Sequence, residues 1–233
     1  MQATATLFLV KYNTNGNQQW LRQFGTYAPD AFNSVAVDRQ SKVYVTGNTS
    51  SENAVEAVQN ALLVKYDTYG NQVWLHSSQM ATYNQVTVDH ADQIYVAGND
   101  LTKNPNIGSQ TTLTKYSSSG NILNTQYFGA TPSSMIESTS DITIDGANNV
   151  YVLVKQMSIR SGTESYSVIK CDPSGNFQKQ YATDYQYLLA TPQQNNRLLG
   201  IAVDSANNLY LTGETSVSLG GVGDINAWVA KLS

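Results

Sequence analysis

Four aspartates stand at matched places in the chain. Asp38 closes Val35-Ala36-Val37-Asp38, Asp89 closes Val86-Thr87-Val88-Asp89, Asp145 closes Ile142-Thr143-Ile144-Asp145, and Asp204 closes Ile201-Ala202-Val203-Asp204. Carboxylates at equivalent positions of a symmetric fold would ring its axis and offer hard oxygen donors to a cation. Each of the four also opens a short turn, where an Asp side chain accepts hydrogen bonds from its own backbone. Because the turn recurs with every copy, the cap is the expected role and the cation ring the lesser one. Five lysines form a second row: Lys11, Lys65, Lys115, Lys170 and Lys231. A row of like charges would grip a polyanion. A lysine at a strand end more often lays its stem along apolar surface with the tip in water, and that is the expectation.

Other reactive side chains do not assemble into chemistry. His76 and His90 fall at positions that do not recur, and neither has a Ser or Cys partner for a nucleophilic relay. Both read as surface residues. Cys171, the one cysteine, takes the place of Tyr12, Tyr66 and Tyr116 and reads as a small core filler. The segments Asn13–Asn17 and Asp67–Asn71 are too short for an EF-hand loop and lack its closing Glu. Glycines punctuate turns without the spacing of a phosphate cradle. Trp20 and Trp74, at equivalent positions, read as packing residues rather than a sugar platform. No catalytic residue, metal or cofactor is expected, and the chain reads as a non-enzyme.

The elements that carry these residues repeat every ~50–60 residues, which means stacked supersecondary units. Strand A is the block ending in Asp. After a four-residue connection comes strand B, as in Val43-Tyr44-Val45-Thr46, a tight hairpin by its constant length. Strand C is the lysine block, for example Leu62-Leu63-Val64-Lys65-Tyr66. It leads through a turn with Gly-Asn at a fixed place into strand D, for example Gln72-Val73-Trp74-Leu75. Strands B and C are apolar on both faces, as in sheets covered on both sides. That argues for blades packed around an axis over a two-layer sandwich. The fold expected is an all-β propeller of four-stranded antiparallel blades, about four in number. It forms a single domain over 1–233, with lysine-phased repeats near 7–60, 61–111, 112–165 and 166–225 and a partial one at 226–233.

The run Leu-Val-Lys-Tyr-Asp, Gly-Asn, Trp, Gly-Thr, Val-Ala-Val-Asp, Val-Tyr-Val-Thr-Gly resembles the bacterial SBBP-type β-propeller repeats, and the ending Asn226–Leu232 is similar to their strand C. Val154 departs from the pattern, replacing the glycine found at Gly47, Gly98 and Gly213. The resemblance implies a propeller, in proteins that are usually secreted or at the cell surface, and implies no catalytic set. The strand count leaves two arrangements open, because strand C occurs five times and the others four. Either the termini close a ring, with Trp20's strand completing the blade of Ile201 and Tyr210, or the chain is an arc of a larger ring. An arc leaves edges that invite a homo-oligomer.

A net charge of −4 over 233 residues, with charged residues scarce, argues against nucleic acid or anionic membrane as partner. No apolar run reaches the ~18 residues of a membrane span. The amino-terminal residues lack the parts of a signal peptide, and the compartment stays open. Function is expected in the connections. The A–B and C–D turns are short and constant and share one face. The B–C connections (50–60, 100–110, 156–165, 216–225) and D–A connections (25–33, 78–84, 129–140, 183–197) vary and share the other. Variable loops on a rigid scaffold are where binding resides. They carry Tyr27, Tyr83, Tyr185 and Tyr187, expected to contact a protein or glycan partner. The alternatives are a propeller lyase or hydrolase with its site over the axis, or a repeat array without a ligand.

Overall fold

In a computed structural model of the chain, seventeen β-strands and no helix make up the regular structure of the described residues, which are 7–25, 30–50, 59–102, 110–129, 135–182, 197–215 and 226–232. A two-stranded antiparallel sheet comes first, β1 (Leu7–Tyr12) with β2 (Gln18–Phe24). Three four-stranded meanders follow. The first is β3 (Asp30–Val37), β4 (Val43–Ser50), β5 (Gln59–Tyr66) and β6 (Gln72–Gln79). The second is β7 (Ala81–Val88), β8 (Ile94–Asp100), β9 (Gln110–Tyr116) and β10 (Ile122–Phe128). The third is β11 (Met135–Ile144), β12 (Val150–Ser158), β13 (Glu164–Cys171) and β14 (Phe177–Ala182). The last sheet has three strands, β15 (Arg197–Val203), β16 (Leu209–Thr215) and β17 (Asn226–Leu232). Each strand coincides with one of the A, B, C or D segments. Hydrogen bonding groups them as A–B–C–D, so the sheets run half a period out of phase with the lysine-counted repeats.

Successive sheets stack face to face and meet chiefly along their A strands, where β3 touches β7, β7 touches β11, and β11 touches β15. Burial of both faces explains the continuous apolar runs in the B and C strands. One apolar cluster joins Tyr44, Ala61 and Leu63 of the first full blade to Tyr83, Val86, Val96 and Tyr116 of the second. The next joins Tyr95, Leu113 and Phe128 to Ile142, Val152 and Cys171, and a third joins Tyr151, Leu153 and Val168 to Leu198, Ile201 and Leu211. The A strands are also tied laterally. The Val86 amide donates to Ser34 Oγ at 3.3 Å, and the Ile201 amide to Asp141 Oδ2 at 2.9 Å.

One of the two arrangements left open is not formed among the described residues, and two expectations are corrected. β2 is hydrogen-bonded to β1 alone and β17 to β16 alone, so the pairing that would close a ring through the termini is absent among the described residues. The connection expected at 78–84 is a one-residue turn at Met80, whose φ of 51° reverses the chain from β6 directly into β7. The connection expected at 156–165 is mostly extended, with β12 and β13 paired from Met157↔Glu164 onward and a tight turn between them.

Candidate functional site

Both turn types on the short-turn face share one geometry. The Ser41 amide donates to the Asp38 carbonyl at 3.0 Å, as Gly16 does to Asn13 and Gly70 to Asp67, each at 3.0 Å. The fourth residue of each turn has a left-handed backbone. Glycine fills it in the C–D turns, and Ser41, Asp92, Asn148 and Asn207 fill it in the A–B turns with φ near 60°.

The four aspartates act as caps. Asp38 Oδ1 accepts from the amides of Gln40 (2.9 Å) and Lys42 (2.8 Å). The same pair of bonds recurs at Asp89, Asp145 and Asp204. The second oxygen accepts a tyrosine hydroxyl six residues on, from Tyr44, Tyr95, Tyr151 and Tyr210, at 3.0–3.1 Å. The tyrosine partner went unread in the sequence, although Asp and Tyr recur at that spacing in all four units. Desolvation opposes ionisation of Asp145, but hydrogen bonds from Asn149, Tyr151 and Ala147 outweigh it and hold its pKa below the usual carboxylate range. At Asp204 the Asn208 side chain leads, with backbone bonds and Tyr210, in lowering the value to about 2. Burial, then the bonded carboxylate, pushes Tyr44, Tyr95 and Tyr151 well above the ordinary phenol range. These carboxylates are consumed by their own hairpins, and among the described residues no three His, Cys, Asp or Glu side chains gather to hold a metal.

Three of the five lysines are not solvated tips. Lys11 Nζ donates to the Thr68 carbonyl at 3.3 Å, Lys65 to Ser118 at 2.6 Å and Lys115 to Pro173 at 2.6 Å. Each acceptor is the second residue of the next blade's C–D turn. At two of these three joints the strand D residue paired with the lysine adds to the grip. Trp20 Nε1 donates to the Thr68 carbonyl at 3.1 Å, and Asn124 Nδ2 to the Ser174 carbonyl at 3.0 Å. The ammonium groups of Lys65, Lys115 and Lys170 also lie 5.1–5.4 Å from the ring centres of Tyr44, Tyr95 and Tyr151. Desolvation lowers the Lys65 pKa, opposed by nearby Asp38. Among the described residues, no turn of the last sheet meets the Lys170 position. A cavity of about 290 Å³ opens there, lined by Asp145, Asn149, Tyr151, Lys170, Tyr181 and Asn208.

On the opposite face the tyrosines separate. Tyr27, Tyr185 and Tyr187 lie outside the described residues. Tyr83 is not a surface contact: it is buried in β7 with its hydroxyl 2.8 Å from that of Tyr116, because the Met80 turn sends the chain straight into the core. Glu137, also unforeseen, is buried between blades, where its carboxylate accepts from the Thr111 amide (3.2 Å) and from Gln156 (2.9 Å). His76 is not an open surface residue either. It lies between Trp74 and Tyr116 with ring centres 4.9 and 5.9 Å away. Cys171 is the expected core filler, and burial pushes its thiol up to about 12, leaving it unreactive.

Residues 19–53, from β2 through the A–B hairpin of β3 and β4, match the model of the SBBP family, described as a beta-propeller repeat. The chain carries an SBBP-type β-propeller repeat. The matched span begins just after the Gly16-Asn17 turn and holds Trp20, Asp38 and Gly47 among the motif's markers. No curated protein sequence matches this chain. Among solved structures, a protein of unknown function from Dyadobacter fermentans is similar at a TM-score of 0.59 and 9% identity, covering 88% of this chain and 61% of its own. The Hadza microbial sialidase Hz136 follows at 0.55 and 9%, with 87% of this chain and 45% of its own covered. The Dos1 propeller reaches 0.50 and 10%, over 89% of this chain and 47% of its own. The chain therefore spans about half to three fifths of these larger chains, and identities this low establish the propeller fold alone.

Proposed function

We propose that this propeller chain is a non-catalytic interaction module that engages a protein or glycan partner through the face bearing the B–C and D–A connections. One observation carries the reading: most of the recurring ionisable groups of the opposite face are spent on the architecture. Four aspartates hold their own turns and three lysines hold the neighbouring blade's. That leaves a stiff platform whose variation is confined to the other face, the arrangement that binding scaffolds use. Tyr27, Tyr185 and Tyr187 are the contacts the sequence nominates there, each a flat apolar ring with a polar tip. The sialidase among the structural neighbours shares the fold at 9% identity, and fold alone transfers no activity. Glycan-array and pull-down screening followed by the double replacement Tyr185→Ala and Tyr187→Ala tests the proposal. A partner found by screening should bind the variant at least about tenfold more weakly, ~1.4 kcal/mol, with the melting temperature unchanged. Undiminished binding by the variant would place the contact elsewhere.

A further inference from the structure

On the loop-bearing face, one joint is built from different side chains than the others. Strand register fixes the comparison, because Ala31↔Asn48, Thr82↔Asn99, Ser138↔Lys155 and Arg197↔Glu214 are the same cross-strand pair in successive sheets. On strand C the matching residues are Ala61, Thr111 and Tyr166. The joint between the first two full blades is therefore neutral at this level, with Asn48 and Ala61 on one side and Thr82 and Asn99 on the other. The joint between the third and last sheets sets Lys155 and Tyr166 against Arg197 and Glu214, with Glu164 beside them. The asparagines serve the next blade: Asn48 Oδ1 accepts from the Tyr83 amide at 3.1 Å, and Asn99 Nδ2 donates to the Glu137 carbonyl at 3.0 Å. Lys155 turns instead to Glu164 of its own blade, whose other oxygen accepts from the Tyr166 hydroxyl at 3.0 Å.

Within this cluster the guanidinium is the group turned outward. The Arg197 side chain is 57% exposed, against 27%, 23% and 31% for Lys155, Glu164 and Glu214, and its ion pair with Glu214 spans 3.6 Å, beyond hydrogen-bond length. Desolvation opposes ionisation of Glu164, but the bonds from Lys155 and Tyr166 and the charge of Arg197 outweigh it and hold its pKa below the usual carboxylate range. Ion pairs this open to water add little to stability, so holding the blades together does not account for them. Beside them lies an aliphatic row. Ile136, 40% exposed, stands directly opposite the half-buried Met157, which stands directly opposite Glu164, so the three share one face of the blade's lip. The hairpin that carries the row closes on itself, with the Ser158 amide donating to the Thr163 carbonyl at 2.9 Å and the Gly162 amide to the Ser158 carbonyl at 2.8 Å.

We propose that this lip docks an acidic segment of a protein partner, with Arg197 as the anchor for an Asp or Glu carboxylate flanked by aliphatic side chains. The inference rests on the loop-face reading above and names the chemistry which that face selects. A guanidinium carries five donors in a planar fork that matches a carboxylate, and Glu214 stands close enough to orient the fork without consuming it. The acidic members of the cluster are the more enclosed ones, so the surface offered to a partner is cationic although the chain as a whole carries −4. Ile136 and Met157 suit a Leu or Ile next to the acid; a sugar ring would call for an aromatic platform instead. The connection that bears Tyr185 and Tyr187 runs into Arg197 in the sequence, so the anchor adjoins the residues already nominated.

The test is an NMR titration of the isotope-labelled full chain with three probes: acetyl-Leu-Glu-Leu-Glu-Leu-amide, the same peptide with Gln for Glu, and an oligoglucuronate. The acidic peptide should shift the Arg197 Nε–H and the amides of Met157, Glu164 and Leu198, and the other two probes should leave them in place. Arg197→Gln should weaken the acidic peptide at least about tenfold, with the melting temperature unchanged because the side chain it alters is exposed. Glu214→Gln removes the competing carboxylate and should tighten the same peptide. Shifts elsewhere on the loop face with Arg197 silent overturn this proposal and leave that face as the binding face. Shifts confined to the short-turn face, at Gly16, Gly70 and Gly120, overturn both. Tighter binding of the oligoglucuronate replaces the protein partner with an acidic glycan and overturns the inference, as do undiminished binding by Arg197→Gln and a silent titration with every probe.

Discussion

Lys65 donates a hydrogen bond from its ammonium to the Ser118 carbonyl from a nearly enclosed position, so removing it loses a charge-assisted bond and strands an acceptor. Lys65→Met should cost about 1.5–3 kcal/mol, read as a lower denaturant midpoint at constant slope. Lys231→Met removes an exposed ammonium that rests over Tyr210 and should change stability by no more than ~0.5 kcal/mol. Equal effects at the two positions would show that the grip does not stabilise the stack. The aspartate caps predict an acid limb. Asp204 has its pKa lowered from 3.8 to about 2 in the folded chain, and Asp145 is lowered as well. The unfolded state therefore takes up protons first, and stability present above about pH 4 is lost as pH falls toward 2. Asp204→Asn should flatten that limb in melting temperature measured against pH, and an unchanged limb would assign it to other carboxylates.

Strand and turn elements owe their register to small residues at close approaches. A Cβ on Gly98 would stand 1.9 Å from the Thr82 carbonyl oxygen, where β7 bulges between Tyr83 and Gln85. The turn glycines make the cleaner comparison because Gly16 and Gly70 have nearly the same φ, +78° and +80°. Gly16→Ala should cost only the left-handed backbone term, about 1–2 kcal/mol. Gly70→Ala adds the collision with Trp20 and should cost a further ~1–3 kcal/mol by chemical denaturation. Matching losses would mean that Trp20 moves aside freely and that the turn is held less firmly than its hydrogen bonds imply. These elements were readable strand by strand from the period. The Met80 turn was not, because nothing local marks a non-glycine residue that the surrounding strands force to positive φ.

Across the stack, stability should fall from the middle outward. Strands β8 and β9 are buried almost throughout, whereas β1 and β2 alternate partial burial with exposure. Amide hydrogen exchange of a dilute sample should therefore release β1 and β2 first and β8 last. Uniform protection would contradict the gradient of burial from which the order is drawn.

Periodicity and turn chemistry are local, so the amino-acid order alone carried the blade strands, the two constant hairpins, the capping role of Asp38, Asp89, Asp145 and Asp204, and the inert burial of Cys171. It also carried the departure at Val154, which the third blade absorbs as a core residue. Contacts between repeats lay beyond it. The acceptor of Lys65 is 53 residues away, in a turn that meets the lysine only once two blades have stacked. Tyr83 looked like a loop residue until the Met80 turn and the Tyr116 hydroxyl drew it inside. Whether the first and last sheets join was likewise invisible in a repeat that fits either arrangement. A periodic sequence fixes what each unit is, whereas the number of units that meet depends on the packing angle between blades.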